Sequence, residues 1–355
     1  MHPFSTTGLI TGVGSLPFST AEPALDLIWQ SLPLAPHWPQ LPKAGHQEGF
    51  SSQYVQALVR LGLVCDEASL YFTTNSSAWV AGLTAFYDLY LTALDGDEAA
   101  LANFAFPLQA ARGFYAFVDD IKQNGTRQAV CLKGQLSGPL TVGFQLTDPD
   151  KKASYYDSQL RDIVVKNLAL HAIWQVKTLQ QFKLPVIMMV DDPSLYAYGA
   201  STHVTLTREE IIADLNTVFQ GIKQAGAKVG THVCAGMDWT LLFDTDVEII
   251  NFDAYGYFDS MKVYAGRLNE FLTRGGVISW GIVPTSQTVL DESAASLFQR
   301  FKGYVQELED RGIERELLLR QSMYTPSCGA GTLSLELADK IYATLQEFGR
   351  LVKQL

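Results

Sequence analysis

From Gln128 onward the sequence repeats one cycle: a short apolar run, a turn, then a longer stretch with apolar residues at helical spacing. The pattern predicts strands over 129–138, 185–193, 228–234, 247–253, 276–283 and 316–325. It predicts helices near 155–182, 207–225, 259–274, 290–311 and 333–353, and only the connection 235–246 is too short for a full one. Strands separated by helices predict a parallel sheet with helices over its outer face. Upstream, G-L-I-T-G-V-G-S-L (8–16) reads as a buried strand opening into a Gly-Ser turn, followed by a helix over 22–31. The segment from Gly62, G-L-V-C-D-E-A-S-L-Y-F-T, reads as a strand and its return. Counting one strand from each gives eight, the number that closes a barrel. The expected fold is α/β: a single (β/α)8 TIM-type barrel domain over 1–355, with extra N-terminal loops and helices.

Two upstream stretches break the rhythm. Residues 33–50 are rich in proline, histidine and aromatics, which suits an ordered loop over a pocket better than a disordered linker. Residues 79–121 are helical but irregular, interrupted at Gly96 and Pro107. The Gly-x-Gly-Ser turn lacks the third glycine of a dinucleotide fingerprint.

A net charge of −11 argues against nucleic acid or an anionic membrane as partner, since both require basic patches. No apolar run approaches the roughly 20 residues of a membrane span, and the start M-H-P-F-S-T-T-G has none of the features of a signal peptide. The expected location is the cytoplasm, where Cys65, Cys131, Cys234 and Cys328 would stay reduced.

The polar residues of the predicted strands gather at their C-terminal ends: Ser15, Ser137, Asp191, His232, Cys234, Asn251, Asp253 and Cys328. Barrel enzymes carry their sites on that face. In T-H-V-C (231–234), His232 and Cys234 are two apart on a strand and so face the same way. Cys328 lies in M-Y-T-P-S-C-G-A-G-T (323–332), just past the last strand, where a closed barrel would bring it over the same mouth. One imidazole and two thiolates suit Zn²⁺, and a three-ligand site with an exchangeable fourth position is the catalytic form. A thiol arriving there would lose its proton and become a nucleophile for alkyl transfer. Asp191-Asp192-Pro193 reads equally as a helix-capping turn or as part of a binding site.

With V-G-S (13–15), S-G-P-L-T (137–141), V-D-D-P (190–193), H-V-C (232–234) and C-G-A-G-T (328–332) in this order, the chain resembles the C-terminal catalytic barrel of cobalamin-independent methionine synthase. That barrel belongs to a group that also holds uroporphyrinogen decarboxylase. The resemblance spans nearly the whole chain, without the enzyme's separate N-terminal barrel. It implies zinc as the metal, His232, Cys234 and Cys328 as its ligands, and Ser15 and Asp191 as residues holding the backbone of homocysteine, with Asp191 as counter-ion to the ammonium.

Where the family has a fourth ligand, a glutamate, this chain has Asn251. Asp253, with the same facing, is the expected fourth ligand, and Asn251, otherwise a substrate-binding residue, or water is the alternative. The family's histidine general acid has no counterpart, Thr285 being the nearest polar group, and Phe144 stands near the tryptophan that packs on folate. The expected activity is a zinc-dependent methyltransferase with a small thiol acceptor and a donor that is either methyltetrahydrofolate or a methylated corrinoid protein. A decarboxylase-like barrel and a non-catalytic zinc protein are the alternatives.

Overall fold

The computed structural model describes residues 6–67 and 69–355, so His2 and the rest of the N-terminal start lie outside the described residues. Nine strands are found among them: β1 (Leu9–Ile10), β2 (Val64–Asp66), β3 (Leu70–Phe72), β4 (Leu132–Ser137), β5 (Val186–Asp191), β6 (Lys228–Val233), β7 (Ile249–Phe252), β8 (Val277–Val283) and β9 (Ser322–Pro326). Seven of them form one parallel sheet in the order β1-β9-β8-β7-β6-β5-β4. Helices cross between neighbours as the periodicity predicts, at Ser158–Gln180, Arg208–Gln224 and Ala294–Glu309, and a last predicted helix, Leu335–Val352, follows β9. The predicted helix over 259–274 is two, Ala254–Lys262 and Ala265–Thr273, and E-L-L-L-R, read as the start of the last strand, is helical within Arg315–Arg320. Its glutamate, leucines and arginines are good helix formers, and that preference prevails up to Gln321.

The sheet is curled, and among the described residues it has no eighth strand. The segment near Leu63, counted toward the barrel, pairs β2 with β3 in a separate antiparallel hairpin. The place between β1 and β4 is taken by the proline-rich stretch at 34–40. On one side, Leu34 O accepts from Val130 N and Pro36 O from Lys133 N; on the other, Ala35 O accepts from Thr11 Oγ1, and Gln40 exchanges backbone bonds with Gly14 and Leu16. Only single bridges form here, His37 to Lys133 and Ser15 to Gln40. Pro33, Pro36 and Pro39 lack the N–H that a continuous ladder needs, so the stretch lies as a strand would without becoming one.

Inside the curl, side chains two apart on each strand point to the interior and change character along it. Leu9, Ala35, Cys131, Ile187, Met189, Ile249, Val277 and Met323 form a small apolar cluster, separate from the large core between sheet and helices. One or two steps further along the strands stand Lys133, Asp191, His232, Asn251, Ser279 and Thr325, all buried. The apolar floor fills the bottom of the curl, and the polar layer above it leads to the site. No helix of the described residues is long and apolar enough to cross a membrane.

Candidate metal centre

His232 lies in the buried part of β6, one residue before its end, and register places it beside Asn251 on β7, which in turn lies beside Ser279 on β8. Asn251 Nδ2 faces Ser279 O and Oγ at 2.9 Å and Thr325 Oγ1 at 2.8 Å. A carbonyl can only accept, so the amide nitrogen must lie on that side and Oδ1 must face His232 Nδ1, 2.5 Å away. The imidazole therefore carries its proton on Nδ1. Its Nε2 is buried with no hydrogen-bond partner, and in the neutral ring it is a free lone pair. An imidazole held this way by an outer partner is the form that ligates a metal.

Cys234 follows two residues later at the mouth. Cys328 comes from the loop after β9, which is tied down on both sides. Ser327 N donates to Val283 O, and Thr285 N donates to Ser327 Oγ. Ala330 N donates to Ser15 O and Gly331 N to Ser15 Oγ. The glycines of C-G-A-G are required for this approach: a Cβ on Gly329 would lie 2.2 Å from Ser15 Oγ, and one on Gly331 would lie 2.7 Å from Pro42 and 2.9 Å from Ser15 Cβ.

The ligand atoms of His232, Cys234 and Cys328 all lie within 4.8 Å of one another. Donors on a tetrahedral zinc are separated by roughly 3.5–3.8 Å, given bonds of about 2.0–2.3 Å, so small adjustments would seat the ion. Beside Cys328 the Cys234 thiol is pushed down, while Cys234 and burial push the Cys328 thiol up. A divalent cation would take both as thiolates. The residues present thus fit a zinc ion, by donor type, spacing and the unpartnered Nε2.

Asp253 is not brought into this group. Its carboxylate caps the helix Ala254–Lys262, accepting from Gly256 N at 2.8 Å. Asn251 stands behind His232 and does not line the open cavity.

That cavity, of about 280 Å³, is lined by Val13, Ser15, Gln40, Pro42, Phe50, Asp191 and Pro193 beside the three candidate ligands, and by the 329–332 loop. The two aspartates of Asp-Asp-Pro divide the roles that the sequence left open. Asp192 accepts from Leu140 N, Thr141 N and Thr141 Oγ1 at 2.6–3.0 Å, capping the helix Pro139–Gln145. Asp191, 6% exposed, faces the cavity with Oδ1 unpartnered. Burial pushes its carboxyl up, opposed by the charges of Lys133 and His232.

Lys133 was not among the residues singled out from the sequence. It is 3% exposed, donates to Val13 O at 2.7 Å and Gln135 Oε1 at 3.2 Å, and is pushed down to about 8 by burial. The available signal was a lysine two residues after Cys131, at an inward position of a fully buried strand. The proline-rich loop contributes to the pocket through Gln40, Pro42 and Phe50. Its histidines do not: His37 is buried against Tyr342 Oη, and His46 bonds Asp66. His171 is buried, bonding Phe104 O and Gln175. His203 and Tyr156 stack with Phe144, which does not line the cavity.

Asn251→Leu tests the orienting role. It removes the acceptor for His232 Nδ1, and loss of such an outer partner lowers metal affinity about 10- to 100-fold. Competition with a chromophoric zinc chelator measures the effect, and unchanged affinity would remove Asn251 from the site.

A curled α/β sheet with a His-Cys-Cys group at the C-terminal ends of its strands defines the class of protein. No family model matches the chain, and no curated protein matches it. Among solved structures the chain is similar to a B12-independent methionine synthase from Shewanella sp. W3-18-1 in complex with selenomethionine. The identity is 15% and the TM-score 0.45, over 67% of each chain. It is also similar to a Listeria monocytogenes protein described as a vitamin-B12-independent methionine synthase, at 16% identity and a TM-score of 0.45, over 67% of this chain and 69% of that one. The likeness is a distant one of fold.

Proposed function

We propose that this chain, as one domain, is a zinc-dependent methyltransferase that activates a small thiol, homocysteine or a close relative. The observation that carries the reading is the His232, Cys234 and Cys328 group, with Nε2 of His232 buried, unpartnered and fixed as a lone-pair donor by Asn251. These three residues would hold the ion. Bound there, zinc would acidify an incoming thiol and keep it as thiolate.

The chain's own residues supply the rest of the chemistry. Asn251 keeps the His232 proton on Nδ1. Asp191 offers its unpartnered carboxylate oxygen to the ammonium of an amino thiol, and Ser15, fastened to the Cys328 loop, lines the same wall. Asp253 keeps its helix cap, which leaves the fourth ligand position to water or to the acceptor sulfur. The thiolate sulfur then forms a bond to the methyl carbon as the donor's bond to that carbon breaks, and the electron pair leaves with the donor. Methyltetrahydrofolate and a methylated corrinoid protein both remain as donors. No Lys or Arg lines the cavity among the described residues, which disfavours the polyanionic tetrapyrrole of the decarboxylase reading.

Metal analysis of purified protein, followed by homocysteine methylation with methyltetrahydrofolate and methylcobalamin in parallel, tests the proposal. The expected result is one zinc ion per chain and methionine formed from one donor. X-ray absorption should also gain a zinc–sulfur contact when homocysteine is added. Zinc-replete protein that gains no such contact and transfers from neither donor would sink it and favour a closed structural site.

A further inference from the structure

The helix Trp79–Leu94 breaks the rule that a surface helix keeps its apolar residues on one side. Its inner side is seated on the core: Phe86 packs edge-on against Phe104, and a Cβ on Gly82 would lie 2.5 Å from Leu61 O. Tyr87 Oη donates to Asp162 Oδ2 at 2.6 Å, and Lys166 lies over the rings of Tyr87 and Tyr90, which ties one flank to the helix Ser158–Gln180. The outer side is apolar as well. Val80 is 71% exposed, Leu91 59% and Leu94 49%. Thr84 stands between them with its hydroxyl already donating to Val80 O at 3.0 Å. Val80, Thr84, Tyr87, Leu91 and Leu94 follow one another at intervals of four, three, four and three. That is the spacing of a coiled-coil seam, which packs its knobs into the holes of a second helix.

We propose that this face is an interface between two copies of the chain, in which the helix Trp79–Leu94 of one copy pairs with the same helix of the other about a two-fold axis. Charge selects a second copy as the occupant. A chain of net charge −11 repels its own copy unless the joined faces are nearly free of charge, and residues 70–94 carry one charged side chain, Asp88, against 18% charged residues overall. The helix has no basic residue to draw an anionic membrane surface. A seam of this kind needs a helix of matching seam, which an identical chain supplies, and two-fold pairing of like surfaces is the commonest closed symmetry. The area sets the strength. A helix of 16 residues is about 24 Å long and brings about 400 Å² per copy to such a contact, half the ~800 Å² of a standard interface. The dimer is therefore weak and exchanges with monomer. This pairing is independent of the chemistry of the metal centre.

Sedimentation velocity of the full chain from about 5 to about 500 μM reads the pairing, since the dimer fraction rises with concentration. The expected result is a weight-average mass that climbs toward that of a dimer, with amide hydrogen exchange slowed within 79–94 at the high concentration. Leu91→Glu, which sets a carboxylate from each copy into the seam, should hold the chain as monomer over the whole range. Its thermal melt at low concentration should match the wild type, because the side chain is exposed. Val263→Glu, at a 67% exposed position outside the seam, should dimerise as the wild type does. A wild type that stays monomeric throughout overturns the inference and leaves the face to a different protein. A dimer that persists in Leu91→Glu overturns it by placing the contact elsewhere. If Leu91→Glu does not fold, Val80→Lys, which sets like charges at the end of the seam, decides in the same way.

Discussion

Cys328→Ser is expected to lose zinc and homocysteine binding together while remaining folded. Cys328 is one of three ligand atoms in the candidate centre, and a serine hydroxyl is a far weaker donor to zinc than a thiolate. Loss of an outer partner costs about 10- to 100-fold in metal affinity, so loss of a direct ligand should exceed 100-fold. The residue sits on a loop held by Ser15, Val283 and Thr285 through bonds that do not involve its side chain, so the backbone should keep its place. Atomic emission on dialysed protein and a thermal melt separate the two effects. Full metal occupancy in the variant would remove Cys328 from the ligand set.

The largest effect on stability is expected from Lys133→Met. The ammonium serves two buried acceptors, Val13 O and Gln135 Oε1, and its charge opposes the cost of burying Asp191. Methionine fills the space but leaves both acceptors unmet and Asp191 without its nearby cation. Breaking a buried charge relation from one side costs about 3–5 kcal/mol. Urea denaturation should show a loss toward the lower end of that range, because the two groups are not in direct contact as a salt bridge. Adding Asp191→Asn to Lys133→Met should recover part of the loss, since the unpaired charge is then gone. Strictly additive losses would show that the two groups do not interact.

The local features of this site were legible because they depend on periods of two residues. His232 and Cys234 share a facing on any strand, and the climb from Ile187 and Met189 to Asp191, or from Ile249 to Asn251, follows the same rule. Roles that depend on a neighbouring strand were not legible in this way. Asn251 occupies the place expected for a metal ligand or substrate contact, yet it supports His232, because Ser279 and Thr325 fix which end of its amide faces the imidazole. Asp253 has the facing of a ligand, but the helix that begins at the next residue takes its carboxylate. Asp191 and Asp192 are adjacent in sequence and opposite in role, since alternate strand residues point to opposite sides of the sheet.

The eighth place in the curl shows the same division. Counting apolar runs favoured the segment near Leu63, because it reads as a strand, over 34–40, whose prolines read as a loop. Backbone hydrogen bonding reverses the choice. The 34–40 stretch meets the two edge strands at single points, and β2 is satisfied by β3.

The sequence by itself determined the alternation of strands and helices, the parallel sheet and the three residues able to ligate a soft divalent metal, since each follows from periodicity and side-chain chemistry along one segment. Only the tertiary structure decided how Cys328 meets His232 across 96 positions of chain, which carboxylates cap helices and which face the cavity, that Gln40 lines the cavity and that Lys133 stands beneath it. Those outcomes depend on what stands on the neighbouring strand, and hydrogen-bond partners brought together by folding are not encoded in the spacing of either segment alone.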